Sequence, residues 1–312
     1  MNIFLIMTNL SFNTSYDVNL NTFYDKYIHN IQRVSKRIED YTKDPNEDNI
    51  HDLRTSIRRL EASYQSSPKQ LERKKIKKYV DTSKHLFKLN SEMRDFDVIL
   101  EKLTKEGKIS KEQLEPLKRL LERDKGKKLD RALSIANKLK RRNGPYLIKD
   151  ISYNNPNKIQ KKLTKKYNKI VGNFASRIEK NLPVVINDSE KIYELHEIRK
   201  DSKKLRYLFE LFLDDGVHIN KNLDTSAKIT EERDDSIQGV SDLIKTLETI
   251  QNILGNIHDY DVTIALLREH DKYEYNEAKN NITLLRKNRY EQFVQYCKSE
   301  LLKSDKKPCQ SL

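Results

Sequence analysis

The chain has 312 residues, with 61 Lys and Arg against 47 Asp and Glu, a formal charge of +14, 36% hydrophobic residues and 35% charged residues. That apolar share is too large for a disordered polycation, and the charged share is too large for a compact α/β enzyme, so long amphipathic helices around a real core fit best. The excess of positive charge points to an anionic partner, and no stretch approaches the ~20 apolar residues of a membrane span.

Taken in order, residues 1–16 read as an N-terminal tail, because MNIFLIMTNL has neither the basic n-region nor the small-residue cleavage site of a signal peptide. Helical spacing of apolar residues then predicts helices over roughly 17–42, 48–66, 70–90, 92–105 and 111–143. A second series follows at roughly 157–181, 189–213, 238–255, 257–270 and 273–303. Pro45, Pro68, Gly107, Gly144, Pro145, Pro156, Pro183 and Gly216 fall in the gaps. Pro116 is the exception, and sits in a first turn or kinks a helix. The Asn, Gly and Pro cluster between Asn143 and Asn157 divides the chain into a first half, 17–150, and a second, 151–303. Residues 214–237 mix Asp, Asn, Thr, Lys and Glu and read as a long mobile connection, and 304–312 as a C-terminal tail. Cys297 and Cys309 match no metal-ligand spacing, so they read as incidental thiols of a reducing, cytoplasmic compartment. No stretch reads as a strand, and the fold class is all-α.

Comparing the chain with itself uncovers a duplication. HDLRTSIRRL from His51 and HEIRKDSKKLRY from His196 share a His, an Arg three residues on, and basic residues seven and eight on. The matching residues are His51, Arg54, Arg58 and Arg59 in one half and His196, Arg199, Lys203 and Lys204 in the other. A second pair follows in the same order: RDFDVIL from Arg94 and HDYDVTI from His258, aligning Asp95, Asp97 and Val98 with Asp259, Asp261 and Val262. The extra length of the second half is taken up by the connection after Asp214.

At about 100° per residue, positions i, i+3 and i+7 share one side of a helix. His51, Arg54 and Arg58 therefore form a stripe flanked by Arg59, with Ile50, Leu53, Ile57 and Leu60 opposite. In the second copy Leu195, Ile198, Leu205, Phe209 and Phe212 lie opposite His196, Arg199, Lys203 and Lys204. One face packs and the other is cationic. Like charges crowded at i, i+3 and i+4 repel, and a bound anion relieves them. Two other readings stay open: Asp95, Asp97, Asp259 and Asp261 neutralise the stripes, or Asp95 and Asp259 cap helices. Arg33, Lys36, Arg37, Lys84, Lys88, Lys165, Lys166 and Lys169 lie on predicted helices and extend the basic character. A His/Asp metal site is disfavoured by the cationic neighbours and by the absence of an HExxH or close His pair. An imidazole donating to a phosphate oxygen is the more natural role.

At these residues the chain resembles the CHAD family, the conserved histidine α-helical domain. HDLRTSIRRL is similar to the family's first histidine motif and HEIRKDSKKLRYLFELF to its second, while LNSEMRDFDVILEKL and TIQNILGNIHDYDV are similar to the segments that follow them. The resemblance covers roughly residues 17–303. It implies two pseudo-symmetric four-helix bundles facing each other across a basic central cavity and binding of inorganic polyphosphate there; the residues themselves suggest no cofactor and no catalytic residue. By motif position His51, Arg54, Arg58 and Arg59 would serve one half and His196, Arg199, Lys203, Lys204 and Arg206 the other. Lys203 and Lys204 stand where Arg is usual, which reduces bidentate contacts. Arg94 in one half is His258 in the other, so that position's role differs. The alternating-Glu motif of the CYTH domain, which accompanies CHAD in some family members, is absent. With neither a signal peptide nor a membrane span in the sequence the cytoplasm is the default location, and association with polyphosphate granules is open there. Against polyphosphate binding stand a phosphohydrolase or polyphosphate kinase, for which no Walker loop, metal-spaced carboxylates or nucleophile elbow is found. A nucleic-acid binder is the other alternative, favoured by pI 9.4 and 16 Tyr, but without an RNP or zinc-finger signature.

Overall fold

The computed structural model describes residues 18–142, 144–148, 155–211, 231–270 and 273–304. The predicted tail 1–16 lies outside them, as does most of the connection predicted at 214–237 and, after Ser304, the C-terminal tail. The described residues form eight α-helices and three 3-10 turns, with no strand among them. The first four helices are α1 (Leu20–Lys43), α2 (Glu47–Ser66), α3 (Lys74–Glu106) and α4 (Lys111–Arg142). The second four are α5 (Pro156–Asn187), α6 (Ile192–Glu210), α7 (Glu231–Glu269) and α8 (Asn276–Ser304).

Local chemistry sets most of the helix starts. Asn19 caps α1 by accepting the N–H groups of Asn21 and Thr22, and Asn46 caps α2 by accepting that of Asn49. Pro156 opens α5 at a position where no N–H is needed, behind a left-handed Asn155 whose side chain accepts the Lys158 N–H. Pro116 lies inside α4, in its second turn.

Two pairs of predicted helices are continuous. The sequence suggests a break near Asn90 and Ser91, yet α3 runs through it: each side chain finds a hydrogen-bond partner within the bundle, although the Asn90 Nδ2 is buried without one. Tyr41 Oη donates to Asn90 Oδ1 at 3.0 Å, and the Ser91 hydroxyl donates back to the Phe87 carbonyl at 2.9 Å. Likewise α7 passes straight through Gly255, whose missing side chain faces open space. It begins at Glu231, so the end of the predicted connection is helical. α5 continues past Pro183 to Asn187, beyond the predicted stop.

The two sets of four helices repeat one another. Within each, consecutive helices pack side by side, and the sets meet where α2 lies against α6 and α3 against α7. Each helix at that junction faces its own counterpart, as a pseudo-twofold axis between them requires. A single buried apolar cluster runs from Phe23 and Leu53 in the first bundle to Leu205, Leu247 and Phe293 in the second.

Equivalent ion pairs repeat as well. Asp97 on α3 accepts from Lys125 on α4 at 2.6 Å, and its counterpart Asp261 on α7 accepts from Arg286 on α8 at 2.5 Å. The second pair is much the more buried, with side chains 7% and 11% exposed for Arg286 and Asp261. Burial pushes the Asp261 carboxyl up even though the Arg286 guanidinium pulls it down. Coulomb attraction there therefore does little more than offset desolvation, and the cost appears when one partner is lost. Asp261→Leu is expected to destabilise by about 3 kcal/mol in urea titration. Asp97→Leu in the exposed copy is expected to lose less than about 1 kcal/mol, and Asp261→Leu with Arg286→Met is expected to recover most of the loss.

Candidate anion-binding cavity

Burial of the apolar stripes fixes where the cations go. Ile50, Leu53, Ile57 and Leu60 of α2 and Leu195, Ile198, Leu205 and Phe209 of α6 are all in the core, while Phe212 lies outside the described residues. Because α2 packs on α6, their opposite faces turn toward one cavity of about 550 Å³ between the bundles. Arg54 and Arg58 enter it from α2, His196, Arg199, Lys200, Lys203 and Lys204 from α6, His258 from α7, and Phe87, Ser91 and Asp95 from α3.

Among the described residues, Arg54, Arg58, Arg199 and Lys203 have no carboxylate within ion-pairing distance, whereas Lys200 lies 2.9 Å from Glu197 and Lys204 3.8 Å from Asp201. The Nε atoms of Arg54 and Arg199 and the Nδ1 of His196 are buried without a hydrogen-bond partner. An unsatisfied buried donor is costly, so each arginine Nε is a place for an acceptor. Phe87 supplies the cavity's apolar wall, with the Arg58 guanidinium 4.7 Å and that of Arg54 5.8 Å from its ring centre.

Crowding shows in the titrating groups. Burial, with Arg199, Arg58 and Arg54 adding repulsion, holds the Lys203 ammonium down at about 6. Burial and then Arg58 lower Arg54 to about 10, which leaves it charged at neutral pH. The His196 and His258 rings lie 4.7 Å apart. Burial first and neighbouring cations second lower them to about 4 and about 3, so both are neutral. Burial raises the carboxyls of Asp95 and Asp259 against the pull of nearby arginines.

These placements sort the sequence expectations. Neither Asp95 nor Asp259 is a cap, since both lie in mid-helix, and Asp97 and Asp261 are taken by α4 and α8. Asp95 and Asp259 remain near the stripes and pull on Arg54, Arg199 and Lys203 from a distance, without forming an ion pair with them among the described residues. His51 is exposed and outside the cavity. Its partner position, Arg94, is ion-paired with Glu47 at the start of α2, whereas His258 stays in the cavity against His196. Arg59 turns to Glu210 at 3.0 Å, and Arg206 binds Glu210 at 3.5 Å and Glu248 at 2.9 Å. Arg33 and Arg59 line a separate groove of about 290 Å³. Arg37 is held by Asp40 and Asp52, and Lys84 reaches Glu61 on the cavity rim at 3.6 Å. Lys36, Lys88, Lys165 and Lys169 are exposed, and Lys166 binds Glu72. Among the described residues no group of three or more His, Cys, Asp or Glu could hold a metal ion. No described helix is long and apolar enough to cross a membrane.

The sequence left out Phe87, Ser91 and Lys200. Phe87, Ser91 and Asp95 share one face only if α3 is unbroken, and the predicted gap at residue 91 hid that face. Lys200 is adjacent to Arg199 in a motif already singled out, and its position in the stripe was the available signal.

An all-α pair of bundles related by a pseudo-twofold, with a cationic cavity on the axis, is the class that this geometry defines. The CHAD domain family model matches residues 28–215, and the chain belongs to that family. Its fold is similar to the crystal structure of the CHAD domain from the plant Ricinus communis, with a TM-score of 0.53 at 15% identity over 92% of this chain and 95% of that one. No curated protein matches the chain.

Lys203 gives a stability test of the crowding. Its folded pKa, about 6, lies below its ordinary value of 10.5, so between these pH values the unfolded chain binds the extra proton and stability from this group rises with pH. In dilute, anion-free buffer the wild type should gain melting temperature between pH 6 and pH 9, and Lys203→Met should lack that part of the slope. At pH 6 the Met variant should melt a few degrees higher, on the order of 1 kcal/mol more stable.

Proposed function

We propose that this protein binds inorganic polyphosphate in the cavity between α2, α3, α6 and α7, and that it is a binder rather than an enzyme. The observation that carries the reading is that three arginines, Arg54, Arg58 and Arg199, converge there with Lys203 without carboxylate partners, two of the arginines with a buried Nε lacking an acceptor. A polyphosphate chain offers a closely spaced row of anionic oxygens, so one ligand satisfies several of these donors through charge-assisted hydrogen bonds. Preformed walls keep the ordering cost low. Membership of the CHAD family supports the same ligand. In the second half Lys203 and Lys204 act as compact point charges, and the bidentate contacts fall to Arg54, Arg58 and Arg199. The cytoplasm, in association with polyphosphate granules, is the location this reading assigns.

Charge placement, and not total charge, is what the reading predicts. Arg54→Glu with Arg58→Glu, or Arg199→Glu with Lys203→Glu, should weaken polyphosphate binding at least about a hundredfold, since hydrogen bonds to charged groups contribute about 1.5–3 kcal/mol each. Lys165→Glu with Lys169→Glu makes the same charge change on the exposed face of α5 and should have little effect. Equal weakening in all three folded variants would leave a generic polycation. Log K should fall with log salt at roughly 0.7 per neutralised phosphate, by analogy with single-stranded nucleic acid. RNA should displace the chain poorly, and no phosphate should be released over time.

Proton uptake is a second expected outcome. Bound phosphate raises the Lys203 pKa from about 6, so above pH 6 the complex holds more protons than its free components. Affinity should therefore rise as pH falls from 9 toward 6. Calorimetry in buffers of different ionisation enthalpy should record net proton uptake near pH 7.5.

A further inference from the structure

Outside the cavity the cations of α3 and α4 fall into two populations. Near the turn that joins the helices, four of them are matched along the helix: Lys102 with Glu106, Lys105 with Glu101, Arg119 with Glu115 and Lys118 with Glu122. At the other end of the same hairpin, Lys74, Lys77 and Lys78 of α3 and Lys140, Arg141 and Arg142 of α4 make no ion pair with any described residue. The two ends are tied together, since Arg142 Nη1 donates to the Lys78 carbonyl at 3.3 Å and to Thr82 Oγ1 at 2.8 Å.

Lys74, Lys77, Lys78, Thr82 and His85, with Asp81 as the one carboxylate, line an open groove of about 380 Å³ along α3. The first turn of α3 carries no acidic residue and no side-chain cap, so the lysines sit at the positive end of the helix dipole, where an anion is favoured instead. Next to it the 3-10 turn Gly144–Ile148 packs on α1 and α3. Gly144 lies so close to Ser35 Oγ and Tyr79 Oη that an added Cβ would meet them at 2.4 and 3.0 Å. That fit seats the turn beside α3, and Tyr146 on it is 66% exposed.

We propose that this end of the first bundle is a docking surface for single-stranded RNA, distinct from the cavity. The unmatched Lys and Arg side chains take the phosphates of the strand, and the Tyr146 ring stacks on a base. This combination of a cationic groove and an exposed aromatic platform is what single strands without sequence preference require. Polyphosphate has no base for Tyr146 to stack on. An anionic membrane would need apolar side chains to insert, and Tyr146 is the one large hydrophobic residue exposed at this end; the others exposed among the described residues, Val184, Ile192, Tyr193 and Leu284, belong to the second bundle. The proposal does not rest on the polyphosphate reading.

The test uses the full chain and a fluorescent oligouridylate, with polyphosphate and phosphatidylserine vesicles as parallel probes. Lys74→Glu, Lys77→Glu and Lys78→Glu together should lower oligouridylate affinity more than tenfold and leave polyphosphate binding unchanged. Tyr146→Ala, which alters no charge, should lower it about tenfold. Arg199→Glu with Lys203→Glu should leave it intact. The triple variant puts carboxylates at the start of α3, which favours the helix, and melting curves check folding. Should it unfold, Tyr146→Ala alone decides the matter. The proposal is overturned by RNA affinity lost in the cavity variant, RNA affinity unchanged in Tyr146→Ala, or vesicle binding that depends on the groove while RNA binding does not. An equal loss of RNA binding when the matched lysines Lys102, Lys105 and Lys118 are reversed would overturn it too.

Discussion

Leu53 on α2 and Ile198 on α6 have to be buried, and burying them turns Arg54, Arg58, Arg199 and Lys203 toward one another across the pseudo-twofold axis. Rotating either helix to separate the cations would expose its apolar stripe, and each buried Leu or Ile is worth roughly 1.5–3 kcal/mol. Repulsion among partly solvated cations is smaller than that sum, so packing decides the geometry and the charges accept it. The cavity is thus a by-product of the core in its position and a departure from it in its content. A sequence optimised for stability alone would place matched or apolar groups on that face.

The two halves repeat the scaffold more faithfully than the cavity lining. Asp97 and Asp261 hold the fourth helix of each bundle in the same way, while the residues just before them have diverged. Arg94 is drawn out to Glu47 and His51 is exposed, but His258 and His196 lie ring against ring inside, tilted to one another. One wall of the cavity is therefore made of guanidinium groups on α2, and the other mixes Arg199 with ammonium and neutral imidazole. An anion meets permanent, planar donors on one side. On the other side it meets groups whose protonation it can change.

Helix content, the duplication and the inward cationic stripes were legible in the sequence, because 3.6-residue periodicity and repeated motifs are local signals. Whether a polar interruption ends a helix was not. Asn90 and Ser91 look like a gap until Tyr41 is seen to bond the Asn90 Oδ1 and the Phe87 carbonyl to accept from Ser91, and with that gap the face carrying Phe87, Ser91 and Asp95 was lost. Nor could the sequence separate cavity cations from matched ones. Arg59 follows Arg58 directly, yet it leaves for Glu210, a residue 151 positions away. Arg206 belongs to the same motif as Arg199 and is likewise held outside by Glu210 and Glu248. Those choices depend on which carboxylates the tertiary fold brings within reach. Lys165 and Lys169 remain on the surface for a simpler reason: they lie on the solvent side of α5 while Leu163 and Tyr167 fill the core.

The most direct measurement of the central claim is diffraction from crystals grown with a short polyphosphate. Phosphate density should run between α2 and α6, with oxygens accepting from the Nε atoms of Arg54 and Arg199 and from Lys203. Phosphates ordered only on the outer helices, with Arg54 and Arg199 still lacking acceptors in the cavity, would contradict it.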